Sequence, residues 1–236
     1  MTKEEIKNRF DNETAILYGQ RDPAWLPEFA YAFGLIPKLI QPFVSSRSNI
    51  LDIGAGTGNL SRTVFEQFAK TDDIRLTLLD FSQNMLDQAP NILAPFTGMF
   101  DIVNADFMTY NFEKERYCAV VSSFAIHHCR GDEEYLSLYK RIFETLSKPG
   151  IFVCCDVVAG NTAFVSKLNE QGWIDFLKSK NFSETEITKI VSNYKIEDSP
   201  ASLPKHIELL AKAGFDSTDI VWKKANFGIY IGIKSA

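Results

Sequence analysis

The chain has 236 residues, 45% apolar and 23% charged, with a formal net charge of −5. That composition suits a globular α/β domain with an elaboration, long enough to bury a substantial core. The acidic balance argues against broad adhesion to nucleic acid, the N-terminus lacks the apolar core of a signal peptide, and no apolar run is long enough to span a bilayer.

Residues 1–44 are expected to form an N-terminal helical arm or lid, broken at Gly19, Pro23, Pro27, Pro37 and Pro42. The arm carries Phe10, Tyr18, Trp25, Phe29, Tyr31 and Phe33, more aromatics than a solvated arm needs, so it should pack over the main domain, 45–236. Strand and helix signals then alternate, the mark of a parallel sheet with crossovers. Strands are expected at 50–53, 74–79, 100–103, 119–126 and 151–158. The helix after the first strand offers Leu60, Val64, Phe65 and Phe68 to one face. Ser82 is a candidate helix cap, and the helix at 132–147 buries Tyr135, Leu138, Tyr139, Ile142 and Leu146 before Pro149-Gly150.

The alternation breaks at 163–199, which reads as a helical cap insertion of two helices. Ser183 and Glu186 form a capping-box pattern there, ahead of an apolar stripe of Ile187, Ile190, Val191 and Tyr194. A helix at 202–213 ends at Gly214. The segments 217–224 and 227–233 lie too close together for a crossover and read as an antiparallel hairpin. The fold class is therefore a doubly wound α/β sheet, mostly parallel, with an antiparallel last strand.

Four cysteines, Cys118, Cys129, Cys154 and Cys155, show no C-x-x-C spacing. They read as reduced packing residues of a cytoplasmic protein; metal ligation by them with His127 and His128 is a minor alternative, since tight zinc sites usually have recognisable spacings, and the metal expected is none.

The most informative stretch is Leu51-Asp52-Ile53-Gly54-Ala55-Gly56-Thr57-Gly58, an apolar strand running into a glycine turn and then a helix. A dinucleotide fingerprint needs its third glycine three residues after the second, and Asn59 stands there instead. With Leu79-Asp80, Ala105-Asp106, Val120-Val121-Ser122-Ser123-Phe124 and Leu146-Ser147-Lys148-Pro149-Gly150, the stretch resembles the ordered motifs of class I S-adenosylmethionine (SAM)-dependent methyltransferases. The sheet of seven strands is what that resemblance implies.

The resemblance implies SAM as cofactor and S-adenosylhomocysteine as product. Asp80 would accept the ribose hydroxyls, strong bonds because the acceptor is charged. Asp106 with Phe107 would meet the adenine, Met85 would face the same ring, and Ser122 and Ser123 would lie beside the methionine part. Asp52, Gly54, Ala55, Gly56, Gly58 and Phe81 complete the expected cofactor set.

A narrower resemblance, carried by Phe10-Asp11, Tyr18, Arg21, Leu26-Pro27, Lys212-Ala213-Gly214-Phe215 and Asn226-Phe227-Gly228, is to the subfamily around carboxy-SAM synthase and tRNA wobble-uridine methyltransferases. The arginine that grips the extra carboxylate of carboxy-SAM would fall at Leu209, its arm tyrosine at Phe29 and an asparagine at Ser123. Plain SAM and methyl transfer by in-line displacement are therefore favoured, to a small-molecule acceptor before a tRNA base. The alternatives are a carboxy-SAM synthase-like enzyme or a non-catalytic SAM-binding module.

His127 and His128 follow the fourth strand and are candidates for proton acceptance, with loop packing weighed evenly against that role. On extended backbone adjacent side chains diverge, so one of the two at most should face the site. Tyr18, Phe29, Tyr31 and Trp173 are candidate substrate-lining residues, hydrophobic packing being the competing role of each. The stripe at 187–194 is lid core or the contact of a homodimer.

Overall fold

The computed structural model describes residue 5 and residues 25–68 and 73–236. Tyr18, Phe10, Asp11 and Arg21 lie outside the described residues. Seven strands, β1 (Asn49–Ile53), β2 (Arg75–Asp80), β3 (Phe100–Asn104), β4 (Tyr117–Ser123), β5 (Leu146–Val157), β6 (Ser217–Lys224) and β7 (Phe227–Lys234), form one sheet in the order β3-β2-β1-β4-β5-β7-β6. Neighbours from β3 through β5 run parallel. β7 enters between β5 and β6, antiparallel to both. The strand order reverses beside β1, between β2 and β4, and open α/β sheets bind ligands at the carboxyl ends of strands flanking such a switch.

The helices are α1 (Phe29–Ile40), α2 (Asn59–Phe68), the single turns α3 (Gln83–Leu86) and α4 (Ala89–Ile92), α5 (Gly131–Thr145), α6 (Ala163–Ser179), α7 (Glu184–Glu197) and α8 (Leu203–Ala213). Both faces of the sheet are covered. On one, α2 buries Leu60, Val64, Phe65 and Phe68 in a cluster shared with Phe33, Ile36 and Ile40 of α1 and Trp173 of α6. On the other, α5 buries Tyr135, Leu138, Tyr139 and Ile142 with Leu209 and Leu210 of α8. With both faces occupied, β1 and β4 can be apolar almost throughout.

Three boundaries differ from the periodicity. Pro37 lies inside α1, where a break was expected. It is the fourth-last residue of the helix and on the buried side, so its missing N–H costs one bond while its ring packs. The segment 119–126 is not one strand: β4 stops at Ser123, Phe124 takes a positive φ of 52°, and Ile126–His128 form a 3₁₀ turn. The helix expected to reach Pro149-Gly150 stops at Thr145, because Leu146 is already paired to Tyr117 at the start of a longer β5.

The two helices at 163–199 form as expected. Ser183 and Glu186 make the reciprocal capping box. Trp173 stands edge-on to Tyr194 and Phe227, 5.7 and 5.6 Å between centroids, joining the two helices to the sheet. Its Nε1 donates to the Trp25 carbonyl at 3.0 Å, fastening the segment before α1 to α6. Ser82 accepts from the Met85 amide as a helix cap, and Gly214, at φ 113°, ends α8.

Candidate active site

The glycine loop hangs from the end of β2. Gly54 and Ala55 both donate to the Leu79 carbonyl, at 2.8 and 3.1 Å, and Gly58 closes the turn onto the Ala55 carbonyl at 2.8 Å. Gly54 has φ 69°, and a Cβ there would overlap the Ala125 methyl. Gly56, at φ 53°, lies so close to Met85 that a Cβ would sit 3.2 Å from its Cε. Both positions therefore require a residue without a side chain.

This loop floors a cleft bounded by Gly54, Ala55, Gly56, Thr57, Asn59 and Leu60. Asp80, Phe81, Ser82 and Met85 form one wall, and Phe107, Ser123, Phe124, Ala125 and His128 the rest. It encloses about 710 Å³ when its open, solvent-filled mouth is included. Asp80 is the acid of the cleft. Its Oδ2 accepts from the Gly56 amide at 2.9 Å and its Oδ1 from the Ser82 amide at 2.8 Å, so the carboxylate ties the glycine loop to the turn after β2.

Four expected cofactor residues stand outside this lining. Asp52 is fully buried behind the loop, its Oδ2 accepting from Ser61 Oγ at 2.7 Å. Desolvation, with the charge of Asp80 as a smaller cause, pushes its carboxyl up to about 7. Ser122 is also fully buried and donates to the Ile53 carbonyl at 2.7 Å, stitching β4 to β1. Gly58 backs onto Leu93, Ala89 and Leu78. Asp106 accepts from the Met108 amide at 2.8 Å, shaping the turn that presents Phe107. That turn is fixed from below: Arg141 of α5 donates to the carbonyls of Phe107 at 2.9 Å, Met108 at 2.8 Å and Tyr110.

The two histidines do not diverge. The backbone at 126–128 is a 3₁₀ turn rather than a strand, and their rings lie 4.1 Å apart. His128 enters the cleft wall. His127 is buried, its Nδ1 2.5 Å from Asp156 Oδ1 and its Nε2 3.4 Å from Asp198 Oδ1. Burial opposes charge on this ring, but the carboxylates facing both nitrogens outweigh it and hold its pKa well above the usual histidine range. Asp156 also accepts from the His127 amide at 2.9 Å.

Among the expected substrate-lining residues, Trp173 is buried between the cap and the sheet, and Tyr31 is 60% exposed on α1. Phe29 stacks on Phe33 at 4.2 Å, which stacks on Phe124 of the cleft wall at 6.1 Å, so Phe29 reaches the cleft only through two other rings. Sequence reasoning missed Thr57, Asn59, Phe124 and Ala125 in the lining, and Asp156 and Asp198 beside the histidines. Asp156 had a signal, an acid at the end of an apolar strand like the other three; Asp198, in a polar segment after α7, had none.

Residues 50–150 match the family model described as a methyltransferase domain. Carboxy-S-adenosyl-L-methionine synthase of Nautilia profundicola is 24% identical over 225 residues, covering 95% of this chain and 94% of its own. The enzyme of that name from Vibrio campbellii is 25% identical over 227 residues, covering 95% and 91%. Among solved structures, phosphoethanolamine N-methyltransferase 2 of Haemonchus contortus, in complex with phosphomonomethylethanolamine and S-adenosylhomocysteine, superposes with a TM-score of 0.70 at 14% identity. That likeness covers the whole of this chain but 61% of the nematode protein. With the glycine loop and the strand-end acid gathered at the switch point of such a sheet, residues 50–150 carry the methyltransferase domain of a SAM-dependent enzyme on the class I fold, and the chain is similar over nearly its whole length to the carboxy-S-adenosyl-L-methionine synthases.

Proposed function

We propose that this enzyme moves the SAM methyl group to a small-molecule acceptor in front of the glycine-loop cleft, in the cytoplasm, with a tRNA base as the less favoured acceptor. The observation that carries the reading is Asp80, a carboxylate at the end of β2 in the lining of a cleft whose floor needs glycine, for space at Gly54 and for a positive φ at Gly56. Asp80 would hold the ribose hydroxyls, Met85 and Phe107 would flank the adenine, and Ser123 would border the methionine part. Asp106 would act by shaping the turn that carries Phe107, Asp52 and Ser122 by bracing the loop from beneath.

Bound SAM supplies an electrophilic methyl on a cationic sulfur. The protein's task is then alignment of the acceptor atom with the methyl–sulfur axis, which alone can be worth several kcal/mol. His128, in the cleft wall, would take the acceptor proton where the acceptor carries one. His127 would position it from the neighbouring ring. The arm at 1–44 and the cap at 163–199 would set acceptor choice. Consistent with a soluble location, no helix among the described residues is long and apolar enough to cross a membrane.

Titration calorimetry with S-adenosylhomocysteine tests the site. The protein is expected to bind at micromolar levels, and Asp80→Ala to weaken binding by about 2–4 kcal/mol, the scale of one or two hydrogen bonds to a charged group. A folded Asp80→Ala protein that binds as before rejects it. The names of the relatives favour a second reading, carboxy-SAM synthesis. Against it stands Leu209, buried and apolar in α8 where the resemblance calls for arginine. Incubating the same preparation with SAM and prephenate separates the two by the mass of the product.

A further inference from the structure

We propose that His127, His128 and Asp198 form a binding site for one divalent transition-metal ion at the rim of the cleft. The carboxylate arrives from a different part of the chain than the imidazoles. The histidines sit on the 3₁₀ turn after β4, and Asp198 is the residue at which α7 ends. Asp198 Oδ1 lies 3.4 Å from His127 Nε2 and 3.7 Å from His128 Nδ1, and the three ligand atoms all fall within 4.8 Å of one another. Bonds of about 2.0–2.2 Å at near-tetrahedral angles put ligand atoms about 3.4 Å apart. The carboxylate therefore stands from each imidazole at close to the separation that an ion between them requires, and the two imidazole donors lie within 4.8 Å of each other.

The surroundings match a built site. Side-chain exposures of 7%, 16% and 13% for His127, His128 and Asp198 leave the cluster sheltered but not sealed. The far nitrogen of His127 is held by Asp156 at 2.5 Å, the carboxylate–histidine arrangement that fixes the ring and directs its other nitrogen toward a metal. The Asp198 segment is tied down as well: the Ser199 amide donates to the His127 carbonyl at 3.1 Å, and Tyr135 Oη donates to the Ser199 carbonyl at 3.1 Å. Two imidazoles and one carboxylate suit zinc or iron(II) and leave a coordination position for an outside ligand. His128 is also part of the cleft wall, so the ion would lie beside the cleft, and with the ion bound His128 would serve as its ligand in place of the proton-accepting role it has in the metal-free protein. Among the described residues no other group of three such side chains meets this spacing.

The test uses the full chain after removal of metal with a chelator. Zn²⁺ binding is measured by calorimetry, and Co²⁺ is added as a spectroscopic probe. One equivalent is expected to bind at micromolar affinity or tighter, with cobalt bands free of thiolate charge transfer. Asp198→Asn and His128→Gln should each weaken Zn²⁺ at least tenfold, whereas Cys129→Ser should leave it unchanged. Far-UV circular dichroism of each variant, with S-adenosylhomocysteine titration of Asp198→Asn, separates loss of the metal site from loss of the fold or of the cofactor site. The proposal is overturned if folded wild-type protein takes up neither ion, if binding survives both substitutions, or if Cys129→Ser abolishes it.

Discussion

Asp52 is expected from the sequence to orient the glycine loop and to favour the cationic part of the cofactor electrostatically. Its side chain turns under the loop to Ser61, a partner nine residues on in α2. Only packing reveals that direction. Its carboxyl, pushed up to about 7, keeps its proton in the folded state where an unfolded aspartate would release it near pH 4, roughly. The folded state therefore binds more protons between these values, so this residue's contribution to stability falls as pH rises through that window. From pH 5 to 8 the loss amounts to about 2–3 kcal/mol at roughly 1.4 kcal/mol per unit. Asp52→Asn should flatten the stability profile by that amount, measured as the difference in urea-unfolding free energy between the two pH values. An unchanged slope would assign the carboxyl an ordinary pKa.

The strand-to-turn unit after β4 is where sequence reading and structure part most clearly. The run from Ala119 to Ile126, apolar but for Ser122 and Ser123, has no period to distinguish strand from turn, and nothing local announces the positive φ of Phe124. What bends the chain is tertiary: the Phe124 amide donates to the Cys155 carbonyl at 3.1 Å, and Ala125 is set against Gly54. The glycine motif itself was legible, because positive φ at three alternate positions is a demand that only glycine meets cheaply. Its contact with Ala125, 71 residues later, was not. Gly54→Ala should cost at least about 2–3 kcal/mol through backbone strain and the overlap with Ala125. Adding Ala125→Gly should recover part of that loss, a coupling measurable by thermal unfolding in a double-mutant cycle. Strictly additive losses would show that the two positions do not meet.

At the scale of the molecule, the alternation of strands and helices pointed to the parallel part of the sheet and the short gap before Phe227 to the closing antiparallel pair, while the number of strands came from the family resemblance. The cap was legible as two helices from the Ser183 signal and the stripe behind it. Its attachment was not, because packing, the role favoured for Trp173 over a substrate wall, does not say against what, and only the contacts with Tyr194, Phe227 and Trp25 make it a rivet. Trp173→Ala should destabilise the protein by about 3–5 kcal/mol, as large-to-small changes at buried aromatics do. Trp173→Phe should cost far less, keeping the ring and losing one hydrogen bond of about 1 kcal/mol. Denaturant titration of both variants checks the ordering; equal losses would place the weight on the indole N–H instead.

The three carbonyls gripped by Arg141 have a mechanical consequence. The part of the crevice lining that carries Phe107 is riveted to α5, whereas the part that carries Phe124 leans on Phe33 of α1. Any breathing of the crevice is therefore lopsided. A guest too broad for the gap will shift the α1 bank and leave the Phe107 bank at rest.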